Sequence, residues 1–295
     1  ALLQKKAAPM AYVDTHAGIG LYDLQGEEAL KTDEWQEGIG RLWTSTHPLL
    51  ENYLHAIREL NDDDELRYYP GSPEVARCLT RSQDHLYLNE KHPEDGQLLK
   101  DNMRIDRRVS VHLGEGWHVP RAILPTEEKR LLMLIDPPFE QGDDLQNSVQ
   151  ALEETLGRMR QAIVCLWYPV KDLAQLRRFY QMLEKSSAPK LLRVELYVNK
   201  PEDASRLNGS GMVICNPPWG LEQELKEMLP IFAKTLAQDE GGWRLDWLIS
   251  EYRAKKNLKF LYFWGHTPRA DGQVSNACFS QWYDSPLVVD GVARS

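Results

Sequence analysis

The sequence predicts an α/β fold, in which helices cover an open sheet of mostly parallel strands. Leu131–Ile135 is an unbroken apolar run, the pattern of a strand that is buried on both faces. Two further strand-like segments, Ala11–Asp14 and His85–Glu90, each end in an acid and are separated from the next strand by helical patterns. Because strands that alternate with helices pair in parallel, these segments indicate a helix-covered parallel sheet.

Length and composition limit the class of protein. The 295 residues, 42% of them hydrophobic, are enough for one large α/β domain with a small appendage. No apolar run approaches the ~20 residues that cross a bilayer, so we expect no membrane contact. The segment 1–6 lacks the apolar core of a signal peptide. It has no initiator Met and begins as if inside a helix, so we expect residues upstream of it.

Cysteine spacing and net charge further limit the class of protein. The four cysteines are far apart and form no C-x-x-C pair, which favours reduced thiols in a cytoplasmic protein over disulfides or zinc ligands: Cys78, Cys165, Cys215 and Cys278. The formal net charge of −9 argues against broad, nonspecific nucleic-acid binding. Basic groups cluster locally in Lys100–Arg108 and at Arg177 and Arg178. Each cluster is either a solvated helix face or a set of phosphate contacts.

The first strand leads into a candidate ligand loop. Ala11–Asp14 runs into Thr15–Gly20, so an acid at the strand end is followed by a small turn that contains glycine. Such a turn lets the backbone approach a cofactor closely. By itself this pattern is weak, because glycine turns after strands are common.

The segment 21–61 predicts helices and no strand. Helical patterns run through Glu34–Trp43 and Pro48–Leu60, and we interpret residues 30–65 as a helical insertion above the sheet.

The next segment, Arg67–Pro73, predicts a loop, because its prolines and glycine disfavour regular structure. Ser72 followed by Pro73 fits a helix start in which serine caps the helix. The loop is either only a helix entry or part of a site, since it is rich in polar and aromatic groups.

The next strands add two more strand-end signals. Glu90, at the end of the second parallel strand, is placed to hold the two ribose hydroxyls of a nucleoside. A helix at Pro93–Met103 and a third strand at Val109–Leu113 follow. The turn after that strand, Gly114–Gly116, offers a backbone against which an adenine ring can lie.

The fourth strand ends in Asp136-Pro137-Pro138-Phe139. Prolines cannot extend a central strand, so Asp136 lies at the carboxyl edge of the sheet, where open α/β sheets bind ligands. The Asp136 carboxylate and the Pro137 carbonyl can accept hydrogen bonds from an NH2 group, while Phe139 stacks on a planar ring. This tetrapeptide is typical of methyltransferases that act on amino groups of planar bases. The alternative is a loop that uses Pro-Pro only to stop the strand.

The second half of the chain predicts further elements and a second copy of the tetrapeptide. The predicted helices are Leu145–Gln161, Asp172–Lys185 and Leu221–Ala237, and the strands are Ala162–Trp167, Lys190–Val198, Gly211–Cys215 and an edge strand at Trp243–Ile249. The copy is Asn216–Trp219. We expect Asp136 to be catalytic, because it directly follows the candidate cofactor loops, and Asn216–Trp219 to be a structural turn or a substrate wall.

Residues 1 to about 250 resemble the RlmJ family. Six motifs carry the resemblance: Asp14–Gly18, Arg67–Pro73, Asn89–Pro93, Asp136–Phe139, Leu166–Pro169 and Asn216–Trp219. These bacterial enzymes methylate an adenine N6 of 23S ribosomal RNA with S-adenosylmethionine as donor. The resemblance implies a Rossmann-like class I S-adenosylmethionine-dependent methyltransferase with a helical insertion, acting as a monomer on an exposed adenine.

The resemblance also implies roles for individual residues. Asp136 would be the catalytic acid, with Pro137 and Phe139 at the same site. The cofactor-binding residues would be Asp14, His16, Gly18, Ser72, Glu90, Glu115, Gly116 and Asp136. Family members have Asp where this chain has Glu115, and Tyr where it has Phe139, which keeps the stacking ring but loses a hydroxyl. The family's N-terminal segment, rich in His, Gly and Lys, is absent from this sequence.

The tail from Leu258 onward resembles the opening of a NADAR (YbiA-like) domain, a family of N-glycosidases, through Phe260–His266, Phe279–Trp282 and Val289–Gly291. That family's later helices and catalytic acid would lie beyond Ser295. We therefore interpret residues 251–295 as a linker and an incomplete domain fragment, either short strands packed on the main domain or disorder.

Three alternatives to an RNA methyltransferase remain open. A DNA adenine-N6 methyltransferase would carry the same tetrapeptide, and a noncatalytic nucleotide-binding scaffold would keep the same fold. A metal hydrolase would need four histidines to converge: His16, His85, His92 and His112. No spacing such as H-x-x-x-H supports that convergence, so we expect no metal site.

Overall fold

A nine-stranded sheet forms the centre of the part of the chain that the structure describes, residues 2–61, 65–140, 142–250 and 262–264 of a computed structural model. Two more described strands form a separate ribbon. In chain order the strands are β1 (Ala11–Asp14), β2 (Leu21–Asp23), β3 (Tyr68–Pro70), β4 (His85–Glu90), β5 (Val109–Leu113), β6 (Leu131–Ile135), β7 (Ile163–Val170), β8 (Leu191–Tyr197), β9 (Gly209–Cys215), β10 (Gly242–Ile249) and β11 (Tyr262–Trp264).

The strand order reverses in the middle of the sheet. Across the sheet the order is β5-β4-β1-β6-β7-β9-β8-β10-β11. The first five of these strands are parallel, and the remaining neighbours pair antiparallel. From β1 the chain passes outward to β4 and β5, then returns to β6 on the other side of β1. In open α/β sheets the crevice at such a reversal, at the carboxyl ends of the strands, is the usual ligand site.

Helices cover both faces of the sheet, as the fold prediction requires. The α-helices are α1 (Glu27–Thr32), α2 (Glu34–Glu37), α3 (Ile39–Leu42), α4 (Glu51–Arg58), α5 (Ser72–Leu79), α6 (Pro93–Met103), α7 (Val119–Ile123), α8 (Asp144–Arg158), α9 (Leu173–Lys185) and α10 (Leu221–Thr235). On one face Val13 and Met133 pack with residues of α8 and α9. On the other face Leu88 packs with residues of α5 and α6. The predicted α/β class is confirmed.

A two-stranded ribbon flanks the predicted insertion of residues 30–65. β2, before it, pairs antiparallel with β3, after it, so the expectation of no strand in 21–61 and of an irregular 67–73 loop was wrong. These strands have three residues each, too short to show alternation, and Pro70 ends β3. The helices of the insertion form a cluster of their own, in which Leu54 and Ile57 are fully buried and α10 contributes Met228 and Phe232.

The predicted strands differ most from the structure at β7 and β10. β7 continues through Pro169, three residues beyond its prediction. β6 ends at Ile135, opposite Leu166, so the missing N–H of Pro169 lies on a side where no strand pairs with it. β10 is not an edge strand, because β11 pairs antiparallel with it.

The chain divides into two compact units, one of residues 1–265 and one of residues 266–295. The second unit and residues 251–261 lie outside the described residues. The predicted NADAR-like fragment therefore also lies outside them, except for the backbone of β11.

Candidate active site at the carboxyl edge of the sheet

Three acids predicted from the sequence meet where the strand order reverses. Asp14 pairs in register with Leu88 of β4 and with Leu134 of β6. Glu90 lies two residues after Leu88, and Asp136 lies two residues after Leu134. Because side chains alternate along a strand, all three acids project from the same face of the sheet.

Asp14 is fully buried and its carboxylate is occupied by protein donors. The hydroxyls of Ser72 and Tyr12 donate to Oδ2 at 2.7 and 2.8 Å, and the backbone N–H of His16 donates to Oδ1 at 3.3 Å. Burial raises the pKa of Asp14, while these hydrogen bonds oppose the rise. Asp14 therefore holds the loop that follows β1 against the start of α5.

Ser72 does not cap α5, as its position before Pro73 predicted. Gly71 is the N-cap, and Ser72 is the first helical residue. Because the serine hydroxyl donates to Asp14, it is turned toward the strand end and away from the helix N-terminus.

Glu90 fixes the glycine loop. One carboxylate oxygen accepts the backbone N–H of Gly18 at 2.8 Å, and the other accepts that of His92 at 2.8 Å. A carboxylate has about four acceptor positions, so Glu90 can still accept hydroxyl donors. Gly18 has φ of +61°, and a Cβ there would lie 2.5 Å from the Tyr22 hydroxyl oxygen. The backbone conformation and the close approach of Tyr22 therefore both favour glycine at this contact with Glu90.

His16 is a neutral ring packed against a glycine turn. Burial lowers the pKa of His16 to about 4. The His16 Nδ1 lies 2.8 Å from the Thr15 hydroxyl, and the ring packs edge-on against Trp117 at a centroid distance of 4.9 Å. A Cβ at Gly116 would overlap the His16 ring and lie 2.7 Å from the Thr15 carbonyl oxygen. The predicted residues His16 and Gly116 are thus in direct contact.

Glu115 lies at the rim of this turn. Its carboxylate forms a 2.8 Å ion pair with Lys91, and both side chains are largely exposed. Glu115 is therefore less constrained than Asp14 or Glu90.

Sequence reasoning missed the residues that join these loops. Asn89 is buried, and its side-chain amide donates to the carbonyl oxygens of Thr15 and Gly114 at 3.0 and 2.9 Å. Asn102 donates to the carbonyl oxygen of Ile19 at 2.8 Å. A polar amide at a buried strand position is the signal that identifies Asn89, since a buried amide must find partners.

Asp136 differs from the other two acids because its carboxylate accepts no hydrogen bond and forms no ion pair within the described part of the chain. The residue is exposed to solvent, yet neighbouring protein atoms remove part of the hydration of its carboxylate. This desolvation, together with the negative charge of Asp14, raises the pKa of Asp136 to about 7. A carboxyl group with a perturbed pKa and no structural partner is a candidate for proton transfer.

The turn after Asp136 is strained. Phe139 has φ of +54°, a conformation that residues with a Cβ adopt at a cost of about 1–3 kcal/mol. Its ring packs against Trp167 of β7 at a centroid distance of 5.5 Å. Pro137 is buried, so the position of its carbonyl is set by the core.

The second tetrapeptide lies at the opposite edge of the sheet. β9 runs antiparallel to β7, so Cys215 pairs with Val164 near the amino end of β7. The Asn216 side-chain amide donates to the carbonyl oxygens of Arg160 and Ala162 at 3.1 and 2.9 Å. Asn216 is therefore engaged in holding a turn, and Asn216–Trp219 does not line the crevice of Asp136.

The four histidines that a metal hydrolase would need do not converge. Within the described residues, no group of three or more His, Cys, Asp or Glu side chains is arranged to hold a metal ion. His85 pairs with Glu128, and His112 stacks on Tyr87.

None of the described helices is both long enough and apolar enough to cross a membrane.

Comparisons with known proteins identify the family of this chain. Residues 7–249 match the family model described as "Ribosomal RNA large subunit methyltransferase D, RlmJ". The chain is 42% identical over 253 residues to "Ribosomal RNA large subunit methyltransferase J" of Haemophilus influenzae, and 39% identical over 252 residues to the protein of the same name in Escherichia coli. Each alignment covers 84% of this chain and 90% of the relative. A solved structure of a Legionella pneumophila protein is 30% identical with a TM-score of 0.76, covering 83% of this chain and 90% of that one.

Proposed function

This chain belongs to the RlmJ family of ribosomal RNA large subunit methyltransferases, and we propose that it transfers a methyl group from S-adenosylmethionine to the N6 nitrogen of an adenine in 23S ribosomal RNA. The observation that carries the proposal is the state of Asp136. Its carboxylate lies at the reversal of strand order, has no partner among the described residues, and has a pKa of about 7. Asp14 and Glu90, by contrast, are both engaged with the protein.

The residues around the crevice fit S-adenosylmethionine. Glu90 retains free acceptor positions beyond its two backbone donors, which suits the two hydroxyls of a ribose. The positive φ of Gly18 favours glycine, and a Cβ at Gly116 would overlap the His16 ring, so both loops present bare backbone. The edge carries carboxylates, which suit a cation. When bound, S-adenosylmethionine supplies a methyl group carried on a positively charged sulfur, which keeps the bonding electron pair when the methyl leaves.

The protein's own contribution begins with hydrogen bonds to the adenine amino group. The Asp136 carboxylate and the Pro137 carbonyl oxygen accept hydrogen bonds from the two N6 hydrogens. These hydrogen bonds favour an amine-like nitrogen whose lone pair is no longer delocalised into the ring. Phe139 packs against the base and limits its rotation. Positioning of this kind accounts for much of the rate increase in group transfer, because it removes the entropy cost of aligning two reactants.

Asp136 also receives the proton. Once the new N6–C bond forms, the nitrogen carries a positive charge, and one N6 proton passes to the Asp136 carboxylate. An acceptor with a pKa near the working pH is well matched to this transfer. His16, with a pKa of about 4, stays neutral and takes no part in the proton transfer.

The RNA must present an accessible base. Moving a base out of its stack costs a few kcal/mol, so an unpaired adenine is the favoured target. The names of the relatives favour ribosomal RNA. Methylation of DNA, the other substrate that the tetrapeptide allows, is an outcome that the experiment below distinguishes.

We extend the proposal to domain organisation. The methyltransferase domain would be residues 1–250, with the helical insertion at about 30–65, and residues 251–295 would be a linker and a NADAR-like fragment. The family match over 7–249 supports the first boundary. The enzyme would act as a monomer in the cytoplasm, and the free thiols of Cys165 and Cys215 fit a reducing compartment.

The test compares methyl transfer to unmodified 23S ribosomal RNA, made by transcription, with transfer to duplex DNA. We expect radiolabel in RNA alone, with N6-methyladenosine as the product after digestion. Asp136→Ala should abolish transfer while its affinity for S-adenosylhomocysteine, measured by calorimetry, stays within a few-fold of wild type. Glu90→Ala should lose that affinity. Transfer to DNA alone, or an active Asp136→Ala variant, would overturn the proposal.

A further inference from the structure

A cleft opens beside the crevice, at the carboxyl end of β7. Its volume is about 310 Å³, near the lower end of the range for small-ligand sites. Its lining has an apolar part, which includes Phe139 and Pro169, and a polar part formed by Lys171, Asp172 and Gln175. Because Phe139 follows Asp136 by three residues, the cleft and the candidate active site share one aromatic side chain.

The apolar side of the cleft is built to stay in place. Phe139 is held by its contact with Trp167 and by the positive φ of its backbone. Pro169 is paired to Ser210 within β7 and β9, and the proline ring has little freedom of its own. Flat, rigid apolar surfaces of this kind favour stacking of nucleobases, with little dependence on which base is bound.

The polar side offers a free cation and a free amide. The Lys171 ammonium and the Gln175 side-chain amide are exposed and form no hydrogen bond or ion pair within the described residues. The Asp172 carboxylate, in contrast, accepts the backbone N–H groups of Ala174 and Gln175 at 2.8 and 3.1 Å and caps α9. The charge of Asp172 is thus engaged at the helix N-terminus, and Lys171 is the cation available to a phosphate.

We propose that this cleft binds a nucleotide next to the target adenine in the RNA. The flanking base stacks on the face of Phe139 that the target adenine leaves free and packs against Pro169, the Gln175 amide hydrogen-bonds its edge, and Lys171 pairs with its phosphate. An amide both donates and accepts, so Gln175 favours bases that offer a matching pair of groups. The inference rests on the proposed function and adds a determinant of sequence context to it.

The test uses short RNA hairpins that carry the target adenine, with an abasic site at the position before or after it. With wild-type enzyme and S-adenosylmethionine, we expect one of the two abasic substitutions to raise KM for RNA about tenfold, since stacking of one base contributes that much. Lys171→Ala and Gln175→Ala should each raise KM for the intact hairpin about three- to tenfold and leave S-adenosylhomocysteine affinity unchanged. In these variants the abasic site should raise KM by a smaller factor than in wild type, as a double-mutant cycle measures.

Matched controls remove the same groups farther along α9. Lys185→Ala deletes the same charge and Gln181→Ala the same amide at exposed positions outside the cleft, and both should keep the wild-type KM. Wild-type KM values for Lys171→Ala and Gln175→Ala, or an abasic penalty that persists undiminished in them, would overturn the inference.

RNA binding separates this inference from the proposed function. Fluorescence anisotropy of the same hairpins, with S-adenosylhomocysteine present, measures the cleft without methyl transfer. A wild-type enzyme that binds the hairpins with the expected flanking-base dependence but transfers no methyl would overturn the proposed reaction alone. Binding that is insensitive to both abasic sites would overturn the cleft assignment, whether or not the enzyme is active.

Discussion

Desolvation raises the pKa of Asp136 to about 7, and the negative charge of Asp14 adds to this rise. The two carboxylates come from neighbouring parallel strands and project from the same face of the sheet, because Asp14 pairs with Leu134 and Asp136 lies two residues beyond. Asp14 is fully buried and engaged with three donors, whereas Asp136 is accessible and without a partner among the described residues. One acid thus organises the loops and tunes the other.

The first prediction concerns the pH dependence of activity. If Asp136 must be ionised to accept the N6 proton, kcat/KM for RNA should rise with pH and level off above about pH 7. Asp14→Asn removes the neighbouring charge and should move the midpoint of this rise to lower pH. Steady-state rates between pH 5 and 9 measure both. An unchanged midpoint in Asp14→Asn would contradict the coupling of the two acids.

The second prediction concerns stability. The folded-state pKa of Asp136, about 7, lies above the unfolded value of about 3.9, so the folded protein binds this proton more tightly. The stability that this proton contributes is present below about pH 4 and is lost as pH rises toward 7. Asparagine does not ionise, so Asp136→Asn does not lose this stability. Its free energy of unfolding should therefore rise relative to that of wild type between pH 5 and pH 8.

Urea unfolding of both proteins at the two pH values measures that difference. The same variant should transfer no methyl, so stability and activity change in opposite directions, as is common for catalytic groups. A constant difference in unfolding free energy across this pH range would show that Asp136 titrates normally.

The third prediction concerns the glycine turn under His16. Gly116→Ala places a Cβ into the His16 ring and against the Thr15 carbonyl, so the turn or the ring must move. We expect S-adenosylhomocysteine affinity to fall at least tenfold and stability to fall by about 1–3 kcal/mol.

Gly157→Ala is the matched control. Gly157 lies in α8, and a Cβ there would meet no atom within 4 Å. The change should stabilise the protein by up to about 1 kcal/mol and leave S-adenosylhomocysteine affinity unchanged. Wild-type affinity in Gly116→Ala would show that the turn lies outside the cofactor site.

The fourth prediction separates the two tetrapeptides. Asn216 has φ of +52° and donates twice to backbone carbonyls, so Asn216→Ala should lower the free energy of unfolding by about 1–3 kcal/mol. Its kcat, measured well below its melting temperature, should match wild type. Asn216→Gly tolerates the positive φ and loses only the hydrogen bonds, so it should destabilise less. An Asn216→Ala variant that is stable but inactive would assign chemistry to this turn.

Much of the fold followed from sequence patterns with strong physical causes. An unbroken apolar run identified β6, and strand-like segments that end in an acid identified β1 and β4. The helix predicted at Pro93–Met103 matches α6 over its full length. The ribbon of β2 and β3 was missed, because its pairing joins segments about 45 residues apart and leaves no local pattern. The cap role of Ser72 was also predicted wrongly, because its hydroxyl donates to Asp14, a partner that is distant in sequence.

The sequence by itself determined which chemical groups stand at the strand ends, because apolar runs stop at prolines, glycines and acids whatever the topology. It also determined the family, through motifs that extend across most of the chain. Only the tertiary structure decided where each group lies and which partners it has. Strand order and direction placed Asp136 in the crevice and Asn216 at the opposite edge, although both precede Pro-Pro. In the folded chain, three protein groups donate hydrogen bonds to the carboxylate of Asp14, while that of Asp136 has no partner among the described residues. Hydration and neighbouring charge, which set a pKa, depend on those distances and not on the order of residues in the chain.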